Sequence, residues 1–456
     1  MSNTSPEVSE VQLRRTLQAR HMRMIALGGV IGAGLFVGSG VVVTSAGPAA
    51  VLSFALTGAL VVLVMRMLGE MAVAAPAVGG FYEYSRLALG DLAAFLTGWM
   101  YWYFWIIVVA LEAVAGARLM AYWWPDVAPW IYTLCFTMLF MVVNLLSVRS
   151  WGETEFWFAS IKVAAIVVFL VLGLAFVLGF WPGAAGGLGN LTAHGGFAPN
   201  GIGPVLTGAV AATGFYFGAE LVTIAAAESA EPERAVAKAA QSVISRVLLF
   251  YVGSIFLVVT IIPWNDADKM SRPYVSVLER FGVPGAATLM NAVILTAVLS
   301  ALNSGLFGSS RMLMALARQG DAPKLFARLD SRGVPLAAII AGTAFGYAAV
   351  VMSYVSPDKV FAFLVNSYGT VAIFVYVLIA VSQLRLRRTL EEASPEKLRF
   401  RMWAYPYLTW LTIVAMLAIV AAMAFIPDQR APLWFGVISV VMLLIAYGIK
   451  RSRQAG

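Results

Sequence analysis

Apolar runs of roughly 18 to 25 residues recur along nearly the whole chain, and each is long enough to cross a hydrocarbon layer about 30 Å thick as a helix. This constrains the fold more than any other feature, because a backbone in lipid must satisfy its own hydrogen bonds. Alternating ten-residue strands are absent, which excludes a barrel. The runs centre near residues 33, 58, 107, 137, 168, 216, 251, 300, 345, 370, 414 and 440. The expectation is an all-α integral membrane protein of about twelve transmembrane helices with little chain left for a soluble domain. Composition agrees: 61% of the 456 residues are hydrophobic and 12% charged.

Lys and Arg set the expected orientation. With the N-terminus inside, the outer segments hold only Arg118, Lys269, Arg272, Arg280, Lys359 and Arg430, Lys162 lies within a span, and the remaining 24 of the 31 basic residues fall inside. That bias fits an even number of spans with both termini cytoplasmic. Residues 1–21 and 449–456 read as cytoplasmic tails around one membrane domain, 22–448. The N-terminal segment lacks a convincing small-residue cleavage site and reads as a tail, not a signal peptide. Topology also accounts for the net charge of +8, so no nucleic-acid partner is needed. A single cysteine, Cys135, allows no internal disulfide. His21 and His194 lie far apart without metal-ligand spacing, so neither a metal nor a cofactor is expected.

The first span carries GGVIGAGLFVGSG, Gly28 to Gly40, with six glycines in thirteen residues. Gly28/Gly32 and Gly34/Gly38 are GxxxG pairs and could serve close helix packing. A second interrupted span, GPVLTGAVAATGFYFGAELVTIAAAES, carries Gly208, Gly214 and Gly218 and then Glu220. The two breaks stand five spans apart, so the halves have opposite topology, as in inverted-repeat transporters. The repeats are expected at about 22–180 and 203–383, followed by helices eleven and twelve at about 404–448. In such a fold the unwound turns of the first and sixth spans face each other near the midplane. The N–H groups of Gly32, Ala33 and Gly34 would open a half-helix whose positive end suits a carboxylate. Carbonyls near Phe215, Tyr216 and Phe217 suit an ammonium group. A zwitterionic amino acid fits both ends.

A charge at the bilayer centre costs about 3 kcal/mol or more, which makes Glu112, Lys162 and Glu220 functional candidates. Lys162 is read either as an ammonium satisfied by helix carbonyls or as a proton carrier tuned by burial, and the carrier is the favoured reading. Glu220 either reads the substrate's amino group or braces the unwound turn. Glu112 and Glu220 are secondary proton-coupling candidates, and Glu112 otherwise shapes the pocket. Glu70 and Arg118, near span ends, are expected to snorkel. Tyr101 and Trp105, at i and i+4 on the third span, share one face and form a candidate aromatic wall.

The motifs RHMRMIALGGVIGAGLFVGSG, EMAVAAPAVGGF, GWMYWYFW, FWFASIKVAAI, GAELVTIAAAESAEPERAVAKA and LNSGLFGSSRMLMALARQGDAPK occur in order. Together they resemble the amino acid transporter branch of the amino acid, polyamine and organocation superfamily, over the chain from about Leu13 to the last span. Through VIGAGLFVGS, the LEA around Glu112, and GAELVTIAAAES with SVISRVLLFYVGSIFLVVTIIPWN, the resemblance is particularly to bacterial 4-aminobutyrate (GABA) permeases. It implies proton-driven uptake through a five-plus-five inverted repeat in the bacterial cytoplasmic (inner) membrane. The family's fifth-span lysine falls on Lys162, where sodium-coupled relatives of the fold keep a cation site. Its sixth-span acidic residues match Glu220 and Glu228, and its third-span aromatic pair matches Tyr101 and Trp105. The stretch GGFYEYSRLALG, Gly79 to Gly90, departs from the small hydroxyl residue that many members carry after the first glycine.

Alternatives within transport are a permease for small neutral, aromatic or basic amino acids. A channel would show rings or repeated filter motifs. A membrane enzyme would need a nucleophile with a base or a metal cluster, neither of which is visible. An amino acid sensor without transport would look the same in sequence.

Overall fold

The computed structural model describes residues 17–28, 31–32, 34–75, 79–181, 188–229, 231–356, 359–360, 363–364 and 370–455. Among these, nine helices are long and apolar enough to cross a bilayer. One of them, Gly34–Ala74, is 41 residues long and combines the second half of the first pass with the second pass. It is divided at Gly47, whose φ of 65° precedes Pro48. Val371–Ala393 and Tyr407–Met423 add two further passes, matching the expected twelve. The tenth pass is displaced from its expected centre near 370: its helix begins at Val371 and continues through Arg385, Arg387 and Arg388. Ion pairs from Arg387 to Glu391 and from Arg388 to Glu392, each at i, i+4, support that extension.

The fifth span, Val148–Val177, shows how sequence sets orientation. Ala159, Lys162, Ile166, Phe169 and Gly173 recur at three- and four-residue spacing and are buried, whereas Val167, Val168, Val171 and Leu174 are exposed. The exposed row is the lipid face, and the buried row places Lys162 inside the bundle. The eighth span, Ala286–Arg318, lies along the third, Asp91–Met120, and against the fifth. The second span, Ala50–Ala74, packs on the seventh, Pro232–Ile261, and on the first half of the sixth. Small residues permit these approaches: a Cβ on Gly208 would lie 2.7 Å from Val42 and 2.8 Å from the Ser53 hydroxyl. Ser53 and Thr57 donate to the carbonyls of Val205 and Ala209 at 2.7 and 2.8 Å, joining second and sixth spans inside the bundle.

Both glycine-rich spans are interrupted. The first runs as a helix over Ala19–Gly28, is non-helical at Ile31 and Gly32, and resumes in a π-turn, Gly34–Gly38, before Ser39–Ala46. The sixth is helical over Gly203–Ala212 and tightens to a 3₁₀ turn, Thr213–Tyr216. Phe217 is extended and Gly218 has φ 115°, a conformation costly for any residue with a Cβ, before the helix resumes at Leu221.

Candidate functional site

The two interruptions meet through Phe215. A Cβ placed on Gly34 would sit 2.5 Å from the Phe215 ring, and one on Gly38 would sit 2.6 Å from it. These two glycines, one turn apart, form the notch that receives the ring. Gly32 differs, because a Cβ there would meet nothing within 4 Å among the described residues. The first break therefore divides into a packing half, Gly34 and Gly38, and an open half that includes Gly32. Ala33 lies outside the described residues.

The carbonyls of the sixth span are partly committed. Tyr251, on the π-turn Val247–Gly253 of the seventh span, donates its hydroxyl to the Phe215 carbonyl at 2.6 Å. The carbonyl retains a second lone pair. The side chain of Tyr216 points away from the break: it stacks on Tyr251 at 4.0 Å and donates to the Phe54 carbonyl at 2.8 Å.

Glu220 sits just past the break and is buried. Both of its carboxylate oxygens accept from the Gly218 N–H at 3.1 Å, Tyr376 of the tenth span donates to it at 2.9 Å, and Tyr101 donates at 3.3 Å. These hydrogen bonds tie the Glu220 carboxylate to the unwound turn and to the third and tenth spans. Aromatic rings surround it. Phe217 lies 4.1 Å from Phe104, 4.9 Å from Tyr376 and 5.9 Å from Tyr101, and Trp105 lies 6.0 Å from Tyr101. Trp105 packs closely on Gly305 and Gly308 of the eighth span.

Lys162 donates to the Ser300 hydroxyl at 3.0 Å, and that hydroxyl donates onward to Glu155 Oε1 at 2.6 Å. Asn303 donates to Glu155 Oε2 at 3.4 Å and is itself held by Asn144 at 3.1 Å. Glu112 and Glu155 both lie within electrostatic range of Lys162. Glu112 is buried, and its Oε2 has no hydrogen-bond partner among the described residues.

Two broken helices, an aromatic lining and a buried lysine between carboxylates suit a site that binds and releases a small polar molecule. The chain matches the amino acid permease family over residues 21–454. It belongs to that family. It is 50% identical to the gamma-aminobutyric acid permease of Bacillus subtilis over 447 residues, covering 98% of this chain and 95% of that protein. It is 45% identical to a probable GABA permease of Pseudomonas aeruginosa, covering 100% and 96% of the two chains. An aromatic amino acid transport protein of Corynebacterium glutamicum is 42% identical, with 89% of each chain covered. The protein is thus a multi-pass membrane transporter of amino acids and not an enzyme.

Away from the breaks, three buried carboxylates of the permease form ion pairs among the described residues. Glu228, matched from the family pattern, pairs with Arg311 at 2.8 Å, while its backbone carbonyl accepts from Leu17 at 3.1 Å. This ties the end of the sixth span to the eighth span and to the segment preceding the first. Asp321 accepts from Tyr82 at 2.6 Å and pairs with Arg86 and with Lys450 of the last span. The stretch Gly79–Gly90 therefore docks on the turn after the eighth span. In that stretch, burial pushes the Glu83 carboxyl above the usual range against the opposing pull of Arg86. Glu70 does not snorkel: it is buried, pairs with Arg387 and accepts from Gln383 at 2.7 Å. The extended tenth helix brings Arg387 to it, so the expected route to water is replaced by an internal partner. Arg118 is exposed, as snorkelling requires.

Sequence reading missed Glu155, Ser300 and Tyr376. Glu155 had a signal, standing two helical turns before Lys162 on the same buried face. Tyr376 had none, being one aromatic residue among many in an apolar span.

Proposed function

We propose that this permease takes up 4-aminobutyrate by proton symport and alternating access in the bacterial inner membrane, with both termini cytoplasmic. In this reading residues 22–180 and 203–383 are inverted repeats, and substrate lies between the interrupted first and sixth spans. Gly32, Ala33 and Gly34 present N–H groups to the carboxylate. The free lone pairs of the sixth-span carbonyls take the ammonium, and Tyr101, Trp105 and Phe217 shape the space around the methylenes. Lys162 carries the coupled proton, with Glu112 facing it.

The observation that carries the reading is the junction of the two breaks at Phe215, beside Gly32, whose Cβ position meets none of the described residues within 4 Å. Exposed backbone inside a membrane is tolerated where it lines a cavity, and a half-helix start there favours an anion. The 4-aminobutyrate assignment draws on the relatives that bear that name at 45% and 50% identity. A second reading, transport of aromatic amino acids, draws on the aromatic lining and on the relative at 42% identity. Radiolabelled 4-aminobutyrate uptake into proteoliposomes, competed by phenylalanine, lysine and glutamate, tests both. Competition by unlabelled 4-aminobutyrate ahead of all three is expected, and stronger competition by phenylalanine favours the second reading.

A further inference from the structure

We infer that Glu155 accepts the proton released by Lys162, through the hydroxyl of Ser300, on its way to the membrane face bearing the chain termini. The inference rests on the symport reading above and adds the exit route.

The hydrogen bonds already run in the direction that transfer requires. Lys162 Nζ donates to Ser300 Oγ at 3.0 Å, and Ser300 Oγ donates to Glu155 Oε1 at 2.6 Å. In the step, one Nζ–H bond breaks as a new Oγ–H bond forms. The original Oγ–H bond breaks as an Oε1–H bond forms. An ammonium and a carboxylate become an amine and a carboxylic acid, with no other reactant. The product pattern is also satisfied, with the acid donating back to Ser300 and Ser300 donating to the amine lone pair.

Position gives the transfer a direction. Glu155 precedes Lys162 by seven residues on one helix, about 10 Å along the axis. It lies toward Gly152, where a Cβ would meet Leu17 at 2.8 Å, and toward Glu153, which contacts His21 at 3.2 Å and Arg20. The proton therefore moves from the middle of the bundle toward the N-terminal segment. Among the described residues, the groups facing the pair from packed elements include Glu112 on the third span, Asn144 on the fourth, and Ser300, Asn303 and Ser304 on the eighth. Glu112 is the titratable one among them. Asn303, held by Asn144, keeps the Glu155 carboxyl oriented whether or not it is protonated.

Ser300→Val and Ser300→Thr have nearly the same shape, but only Thr keeps the hydroxyl. Purified full-length protein is reconstituted into liposomes loaded with a pH-sensitive dye, and substrate-coupled proton entry is compared with counterflow of labelled 4-aminobutyrate. A relay predicts proton entry lowered about 100-fold in Ser300→Val and retained in Ser300→Thr, with counterflow preserved in both. A static counter-ion role for Glu155 leaves its charge in place in both variants and predicts equal proton entry. Equal proton entry in the two overturns the inference while sparing symport. Glu155→Gln, which keeps an acceptor but takes no proton, is expected to match Ser300→Val, and proton-coupled uptake by Glu155→Gln overturns the relay independently. Absence of proton entry in the wild type defeats the symport reading and the relay with it.

Discussion

The Tyr376 hydroxyl donates to Glu220 at 2.9 Å, fastening the tenth span to the turn that interrupts the sixth. The carboxylate is shared with the Gly218 N–H and with Tyr101, so the unwound backbone is held from three sides. A broken helix in lipid needs such partners, because its freed groups have no water to turn to.

Removing that fastening loosens the turn. Tyr376→Phe deletes one hydrogen bond to a carboxylate, worth about 1.5–3 kcal/mol, and is expected to lower both the thermal midpoint in detergent and substrate affinity. A Tyr376→Phe protein with wild-type values for both would show that Glu220 is held without it.

The glycines of the first break are expected to separate by substitution. Gly34→Ala and Gly38→Ala crowd the Phe215 ring and are expected to destabilise the fold by about 1–3 kcal/mol through overpacking. Gly32→Ala meets open space, so the fold survives while substrate binding weakens. Thermal unfolding and equilibrium binding of labelled 4-aminobutyrate on the three variants distinguish these effects; unchanged affinity in Gly32→Ala would return that glycine to backbone geometry alone.

How much of this was legible in sequence follows from the range of the forces involved. Run length and hydropathy are local, so the passes could be placed, and the inward row of the fifth span could be read from its three- and four-residue spacing. The two breaks were legible because glycine clusters mark irregular backbone directly. The partnerships at the site were not, since Glu155 and Ser300 are 145 residues apart and Glu70 and Arg387 are 317 apart. No periodicity records which inward faces will meet. Gly34 suited both substrate binding and packing in sequence, and only the place of the Phe215 ring shows that it packs together with Gly38.

The pair formed by Glu70 and Arg387 supplies a structural control remote from the breaks. Glu70→Gln leaves Arg387 buried without that carboxylate partner, and breaking a buried pair costs about 3–5 kcal/mol. The expected result is a lower thermal midpoint with the transport KM unchanged. A KM shift without loss of stability would connect this pair to the transport cycle.

Asp321 anchors Arg86 and Lys450 at one end of the bundle. Asp321→Asn removes the charge that both share, and amide hydrogen exchange in residues 79–90 is expected to accelerate. Unchanged protection there would mean that the hydrogen bond from Trp99 to the Asp321 carbonyl, at 3.1 Å, suffices to hold the contact.

The aromatic lining is expected to set selectivity. Tyr101→Ala opens space beside Phe217 and Trp105→Ala beside Tyr101, and both are expected to change the order in which amino acids compete for uptake. Competition panels on both variants that reproduce the wild-type order would place these rings in packing alone.

The proposed role of Lys162 is to couple substrate movement to protons. Its most direct test is accumulation of labelled 4-aminobutyrate in liposomes with an imposed inward proton gradient, with and without sodium, for wild type and Lys162→Met. Gradient-driven accumulation by the wild type regardless of sodium is the expected result. Lys162→Met should lose that accumulation but retain exchange of substrate down its own gradient. Sodium dependence in the wild type, or undiminished proton-driven accumulation in Lys162→Met, would contradict it.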